Sequence, residues 1–198
     1  MQLREMNDRY KALKAEQHEV PGCAEDLLKL YAGLQMNDHG RDTPKRFVSM
    51  LDELTKCKDC NGDCIKWKVF EEDADQMIVI NKIPFSSVCN HHVVPFVGFA
   101  HIGYVPDGRV AGLSKFARAV HHFAHKLQVQ ERLTEEVADY IDNSLTPKGV
   151  MVVLEAEHLC MTIRGVQTPG TTTRTVVTRG VFADHSRTAK MEFLAGIK

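Results

Sequence analysis

The chain changes its hydrophobic period near Trp67, and that change limits its fold more than any other feature. Before it, apolar residues recur at helical spacing. After it, runs of β-branched residues alternate with two further helical stretches. A chain built this way must pack a sheet against helices. The first 56 residues read mostly as helix: Leu27, Leu28, Tyr31, Leu34 and Met36 recur at near-helical intervals. A second helix is expected after Thr43-Pro44, with proline in its first turn and Phe47, Leu51 and Leu54 as its stripe. Asn61-Gly62 and the cysteines around it interrupt the pattern. Strands are expected at Met77–Ile80, Val93–Tyr104, Val150–Met161 and about Thr172–Phe182, with a turn at Pro106-Asp107-Gly108. Phe116, Val120, Phe123, Ala124 and Leu127 mark one helix, and Leu133, Val137, Ile141 and Leu145 the next, which Pro147-Lys148-Gly149 ends. A short terminal helix ends near Leu194. The fold class is α+β: an antiparallel sheet backed by helices on one face. A helical N-terminal extension is expected over residues 1–56 and the sheet-bearing domain over residues 57–198.

Net charge is -1, so no overall positive field draws the chain to nucleic acid or an anionic membrane. No apolar run nears the roughly 18 residues a membrane span needs, and Met1-Gln2-Leu3-Arg4-Glu5 does not read as a signal peptide. A cytoplasmic location is expected. In that setting the six cysteines, at 23, 57, 60, 64, 89 and 160, read as metal ligands or free thiols and not as a disulfide framework.

Cys89, His91 and His92 lie together at a strand edge, and His158 and Cys160 lie two apart on another. If that strand is regular, both side chains point to one face. Zinc takes thiolate and imidazole in tetrahedral geometry, and a catalytic site leaves one position open. Cys89, one of the two adjacent histidines and Cys160 would supply three ligands. One histidine and His158 remain for proton transfer. Spacing alone leaves an alternative open, that of buried apolar thiols and surface histidines. Ser114 reads as a helix N-cap with Lys115 and Arg118 in the first turn, an arrangement suited to phosphate. Its plainer reading is a solvated basic face.

Several segments stand in order: Pro95-Phe96-Val97-Gly98, Gly112-Leu113-Ser114-Lys115-Phe116-Ala117-Arg118, Leu127-Gln128-Val129-Gln130-Glu131, His158-Leu159-Cys160-Met161 and Arg164-Gly165-Val166-Gln167. With Cys89-Asn90-His91-His92, they resemble the signature segments of GTP cyclohydrolase I over roughly residues 83 to 194. Thr43-Pro44-Lys45-Arg46 extends the likeness weakly.

The resemblance implies a tunnelling fold, assembled as a toroidal homodecamer with active sites between subunits. It implies that Cys89, His92 and Cys160 bind Zn2+, with His91 and His158 as acid/base groups. The implied reaction is hydrolytic opening of the guanine imidazole ring of GTP, formate release and rearrangement to 7,8-dihydroneopterin triphosphate. Zinc would activate the water that attacks C8, His91 would protonate N7, and His158 would serve later proton transfers. Ser114, Lys115, Arg118 and Arg164, with Arg46 more weakly, would bind the triphosphate. Gln130-Glu131 would meet the guanine, Glu131 accepting its N1–H and 2-amino hydrogens.

One departure stands out. The family usually carries Glu where this chain has Asn90, which keeps hydrogen bonding and loses a charge. It keeps a rival reading in play, a weakened or non-catalytic purine nucleotide or pterin-binding member of the fold. A nitrile-reductase-like enzyme with a nucleophilic cysteine is a second rival, disfavoured by the paired Cys89 and Cys160 with His92. Cys57, Cys60 and Cys64 have knuckle spacing but no fourth ligand that sequence can name. They read as free thiols in a connecting segment, and a nucleic-acid knuckle fits poorly with the charge. His121, His122 and His125 read as surface residues on the polar side of a helix.

Overall fold

The structure is a computed structural model that describes residues 22–57, 59–183 and 187–197. The helical reading of residues 1–21 lies outside the described residues. By contact the chain divides into two compact units, Met1–Glu53 and Leu54–Lys198. In the first, helix α1 (Gly22–Ala32) stops where Gly33 turns left-handed at φ 64°, letting the Leu34 N–H return to the Leu28 carbonyl at 3.2 Å. Leu34 and Met36 therefore fall beyond the helix, and Leu27 and Met36 are exposed. Asn37 Oδ1 accepts the His39 and Gly40 N–H groups and shapes the turn into α2 (Thr43–Leu54). Pro44 sits in the first turn of α2, where its missing N–H costs nothing.

The second unit holds β1 (Val69–Glu71), β2 (Ile78–Cys89), β3 (Pro95–Val105), β4 (Arg109–Ala111), α3 (Ser114–Ala124), β5 (Leu127–Gln128) and α4 (Gln130–Leu145). There follow β6 (Gly149–His158), the single turn α5 (Leu159–Thr162), β7 (Thr172–Gly180) and α6 (Arg187–Gly196). The main sheet has the order β5-β2-β3-β6-β7, and its four long strands are antiparallel. The two residues of β5 join parallel beside Val88 and Cys89.

The strand expected at Met77–Ile80 runs on to Cys89. Lys82, at φ 55°, makes a bulge that shifts register between Ile80 and Ile83 and hides the alternation from a sequence reading. Val93 is not in the next strand. It sits in the connecting turn at φ 53°. The turn at Pro106-Asp107-Gly108 forms, with Gly108 at φ 70°, but it leads away from β3. Strand β4 pairs instead with β1 in a separate two-stranded sheet.

Alternation along the strands sorts the core. Ala100, Ile102 and Tyr104 on β3, with Val150, Val152 and Leu154 on β6, face Phe116 and Val120 of α3 and Leu133, Val137 and Ile141 of α4. The expectation that helices cover only one face is corrected by α6. Its Phe193 packs with Met151, Val153 and Phe182 on the opposite side. Gly103 makes this possible, since a Cβ there would lie 2.4 Å from the Phe193 ring.

Candidate metal centre and active site

One end of the main sheet gathers the chemistry. Strand β2 ends at Cys89, which is buried. Its N–H donates to the Val94 carbonyl and its carbonyl accepts the Val93 N–H, both at 2.9 Å. This tight turn lifts His91 and His92 to the surface beside the thiol. The Nδ1 atoms of His92 and His91 lie 3.8 and 3.9 Å from Cys89 Sγ. The turn forces a β-branched residue into the left-handed region at Val93, a strained conformation of the kind that collects at functional sites. The Asn90 N–H donates to the Gln128 carbonyl at 2.8 Å, so the turn is pinned to β5, and the Asn90 side chain is exposed.

His158 and Cys160 do not share a strand. β6 ends at His158, and the chain then coils into α5, so Cys160 stands on a helical turn. That coil, and not the alternation of a regular strand, carries its thiol toward Cys89. Ligand atoms of Cys89, His92 and Cys160 all lie within 4.8 Å of one another and could hold a metal ion. Two thiolates and an imidazole suit zinc, and a site with three protein donors leaves a position for water. Burial pushes the Cys160 thiol up from its ordinary range, Cys89 adds to the rise, and Arg164 opposes it. Arg164 is therefore close enough to act on the site.

His158 is held on two sides. Phe96 stacks on it with ring centroids 4.7 Å apart and planes 2° from parallel. Its Nε2 lies 2.8 Å from Gln130 Oε1. The Gln130 Nε2 in turn donates to the Leu154 and Thr173 carbonyls and to Thr175 Oγ1, at 3.2, 2.9 and 3.1 Å. These bonds turn Oε1 of the buried Gln130 toward the ring, so Nε2 of His158 carries the proton and Nδ1 is left free. Burial lowers the His158 pKa from 6.5, while the Glu131 carboxylate pulls it back. Glu131, exposed in the first turn of α4, thus stands near His158.

The sequence reading missed Phe96 as the plate beneath His158, and no residue pattern signals a contact made across two strands. It also missed that the Gln130 amide is taken up by the protein. Ser114, Lys115 and Arg118 occupy the first turn and a half of α3, but Ser114 is not the cap. The helix begins one residue early, with Leu113 already helical at φ -53° and ψ -35° and no side-chain cap bond. The Lys115 N–H bonds to Gly112 and the Phe116 N–H to Leu113. Neither Lys115, Arg118 nor Arg164 makes an ion pair among the described residues. Arg46 belongs to the first unit, on α2, and lies 3.6 Å from Asp42.

His122 departs furthest from expectation. It is 5% exposed, and its Nδ1 lies 3.4 Å from Cys64 Sγ. The polar side of α3 is covered at this point by the loop that carries the cysteines. Cys60, Cys64 and His122 form a second group with ligand atoms within 4.8 Å of one another.

A family model described as GTP cyclohydrolase I matches residues 23–198. The protein named GTP cyclohydrolase 1 2 from Nostoc sp. is 49% identical over 154 residues, 77% of this chain and 71% of that protein. GTP cyclohydrolase 1 from Aquifex aeolicus is 47% identical over 160 residues, covering 80% and 84%. The enzyme of that name from Lysinibacillus sphaericus is 46% identical over 170 residues, covering 80% and 90%.

Proposed function

The chain belongs to the GTP cyclohydrolase I family, and from this premise we propose that it opens the guanine imidazole ring of GTP, releases formate and yields 7,8-dihydroneopterin triphosphate. The observation that carries the reading is the meeting of Cys89, His92 and Cys160 within 4.8 Å, from two separate chain segments. Zinc held there would supply the Lewis acidity that activates water for hydrolysis.

The chain's own residues do the rest. His91, adjacent to the ligands, donates a proton to guanine N7 as C8 is attacked. His158 exchanges protons through its free Nδ1 in the later hydrolysis and ring closure. Its depressed pKa keeps the ring neutral near pH 7, ready to accept a proton. Gln130 is a positioning residue, holding the His158 tautomer and ring plane. Its amide has no spare donor for a substrate. Glu131 pairs with the N1–H and 2-amino hydrogens of guanine, a bidentate contact that adenine cannot make. Ser114, Lys115 and Arg118 at the start of α3, with Arg164, take the triphosphate. That Lys115, Arg118 and Arg164 make no ion pair among the described residues, and the positive end of α3, support this.

The finer architecture is a tunnelling fold, with β2, β3, β6 and β7 forming one subunit's part of a barrel and residues 57–198 as the catalytic domain. A homo-oligomer, decameric with sites between subunits, is part of the same reading. Its support is the face that α3 and α4 leave uncovered: Val97, Phe99 and Val176 are 41%, 48% and 42% exposed there. No helix among the described residues is long and apolar enough to cross a membrane, and the reading places the protein in the cytoplasm.

The test is direct. Zinc-loaded protein incubated with GTP should release formate and, after oxidation, a fluorescent pterin in equal amounts. Binding of GTP with neither product would overturn the assignment.

A further inference from the structure

Residues 59–65 bring two cysteines against a histidine of α3. The Cys60 and Cys64 Sγ atoms are 3.4 Å apart, and the Cys64 Sγ is 3.4 Å from His122 Nδ1. Bond lengths to tetrahedral zinc put two sulfurs about 3.8 Å apart and a sulfur and a nitrogen about 3.6 Å apart. A disulfide needs its sulfurs at about 2.0 Å. The observed separations exclude a disulfide and lie within a few tenths of an ångström of those zinc would set.

The histidine is oriented for the task. Its Nε2 donates to the Cys60 carbonyl at 3.1 Å, which places the proton there and aims the Nδ1 lone pair at the thiols. Locking a ligand's tautomer by a backbone bond from the other nitrogen is a general feature of metal sites. His122 is buried with Phe123 against its ring at 5.0 Å, so its aim is fixed. The loop is fixed as well. The Tyr140 hydroxyl donates to the Gly62 and Ile65 carbonyls, at 2.9 and 3.1 Å. Gly62, at φ 96°, lies so close to the Tyr140 ring that a Cβ would come within 2.6 Å.

We propose that Cys60, Cys64 and His122 hold a second zinc ion, separate from the Cys89, His92 and Cys160 centre. Two thiolates and an imidazole select zinc over magnesium or calcium. Three protein donors meet there, Cys60, Cys64 and His122, which leaves the fourth tetrahedral position to water. The role is structural. The ion ties residues 59–65 to the C-terminal half of α3, the helix whose first turns carry Lys115 and Arg118. The Cys57 N–H, bonded to the His125 carbonyl at 3.0 Å, ties the chain before them to the end of that helix.

Elemental analysis of the full chain, purified under reducing conditions and freed of loosely held metal, tests the assignment. Wild type should carry about two zinc ions per chain. Cys64→Ser, at an exposed position, should carry about one and melt at a lower temperature. Cys60→Ser should behave alike and guards against an effect peculiar to one variant. Cys160→Ser should also lose one ion, so a failure of the first centre is told apart from a failure of this one. A wild-type content of one ion that Cys160→Ser abolishes would overturn the proposal. So would an unchanged content in Cys64→Ser and Cys60→Ser, or a Cys60–Cys64 disulfide in the purified chain.

Discussion

His91 and His92 are adjacent in sequence, but His92 is the one whose ligand atom groups with those of Cys89 and Cys160, so substitution should separate their roles. His91→Ala should keep the zinc of the Cys89 centre and lose ring opening by about a hundredfold or more, because it removes a proton donor and no ligand. His92→Ala should lose both. Metal content measured beside formate release decides, and equal metal loss in the two variants would reverse their assignment. Asn90 tests the remaining chemical departure. A carboxylate beside the ligands would raise the proton affinity of its neighbours through its charge, which an amide cannot do. Measurable turnover is expected in the wild type, with a displaced pH–rate profile in Asn90→Glu. Formate release that appears only after the glutamate is installed would make the wild type a binding protein.

Among the elements, β3 and α6 meet where Gly103 admits Phe193. A methyl group at Gly103 has no room unless that ring shifts, and overpacking of this kind costs about 1–3 kcal/mol. Gly103→Ala should therefore lower stability in a denaturant melt, and Phe193→Leu should recover part of the loss in the double variant. Simple additivity of the two changes would mean that they do not meet. The turn between β2 and β3 is strained in a different way. Val93 is half-exposed at φ 53°, and asparagine tolerates that region far better than a β-branched residue. Val93→Asn should raise stability by about 1 kcal/mol, read from the same melts. No gain would mean that the turn is unstrained.

For the molecule as a whole, His101 links stability to pH. It is 3% exposed in β3, and its Nε2, 3.6 Å from Glu155 Oε2, lacks a hydrogen-bond partner among the described residues. Burial lowers its pKa from 6.5; Glu155 opposes this, and Arg174 and Lys82 add to it. The neutral ring is the form the fold prefers, so its stabilising contribution is complete above the unfolded value of 6.5. It is lost as pH falls from there through the lower folded value. Wild-type melting temperature should drop as pH falls below about 6.5, and His101→Gln should show a smaller drop over the same range. Equal slopes would assign the acid sensitivity to other groups.

The sequence alone determined what local chemistry can determine. Alternating β-branched runs placed β3, β6 and β7 to within a few residues, and helical spacing placed α3 and α4, because each period follows from backbone geometry. The candidate metal ligands and their neighbours were legible as a resemblance, since thiols and imidazoles in ordered segments are chemically distinctive. Tertiary structure decided everything that depends on distance between segments. It coiled the chain after His158 so that Cys160 reached Cys89, and it slid Phe96 beneath His158 across two strands. It took up the Gln130 amide among β6, β7 and His158, although nothing in the letters Gln-Glu tells a buried glutamine from an exposed one. It also buried His122 against Cys60 and Cys64, 58 residues from the nearer of the two in sequence. A one-dimensional pattern specifies period and donor chemistry; which donors meet depends on how sheet, helix and loop close over one another.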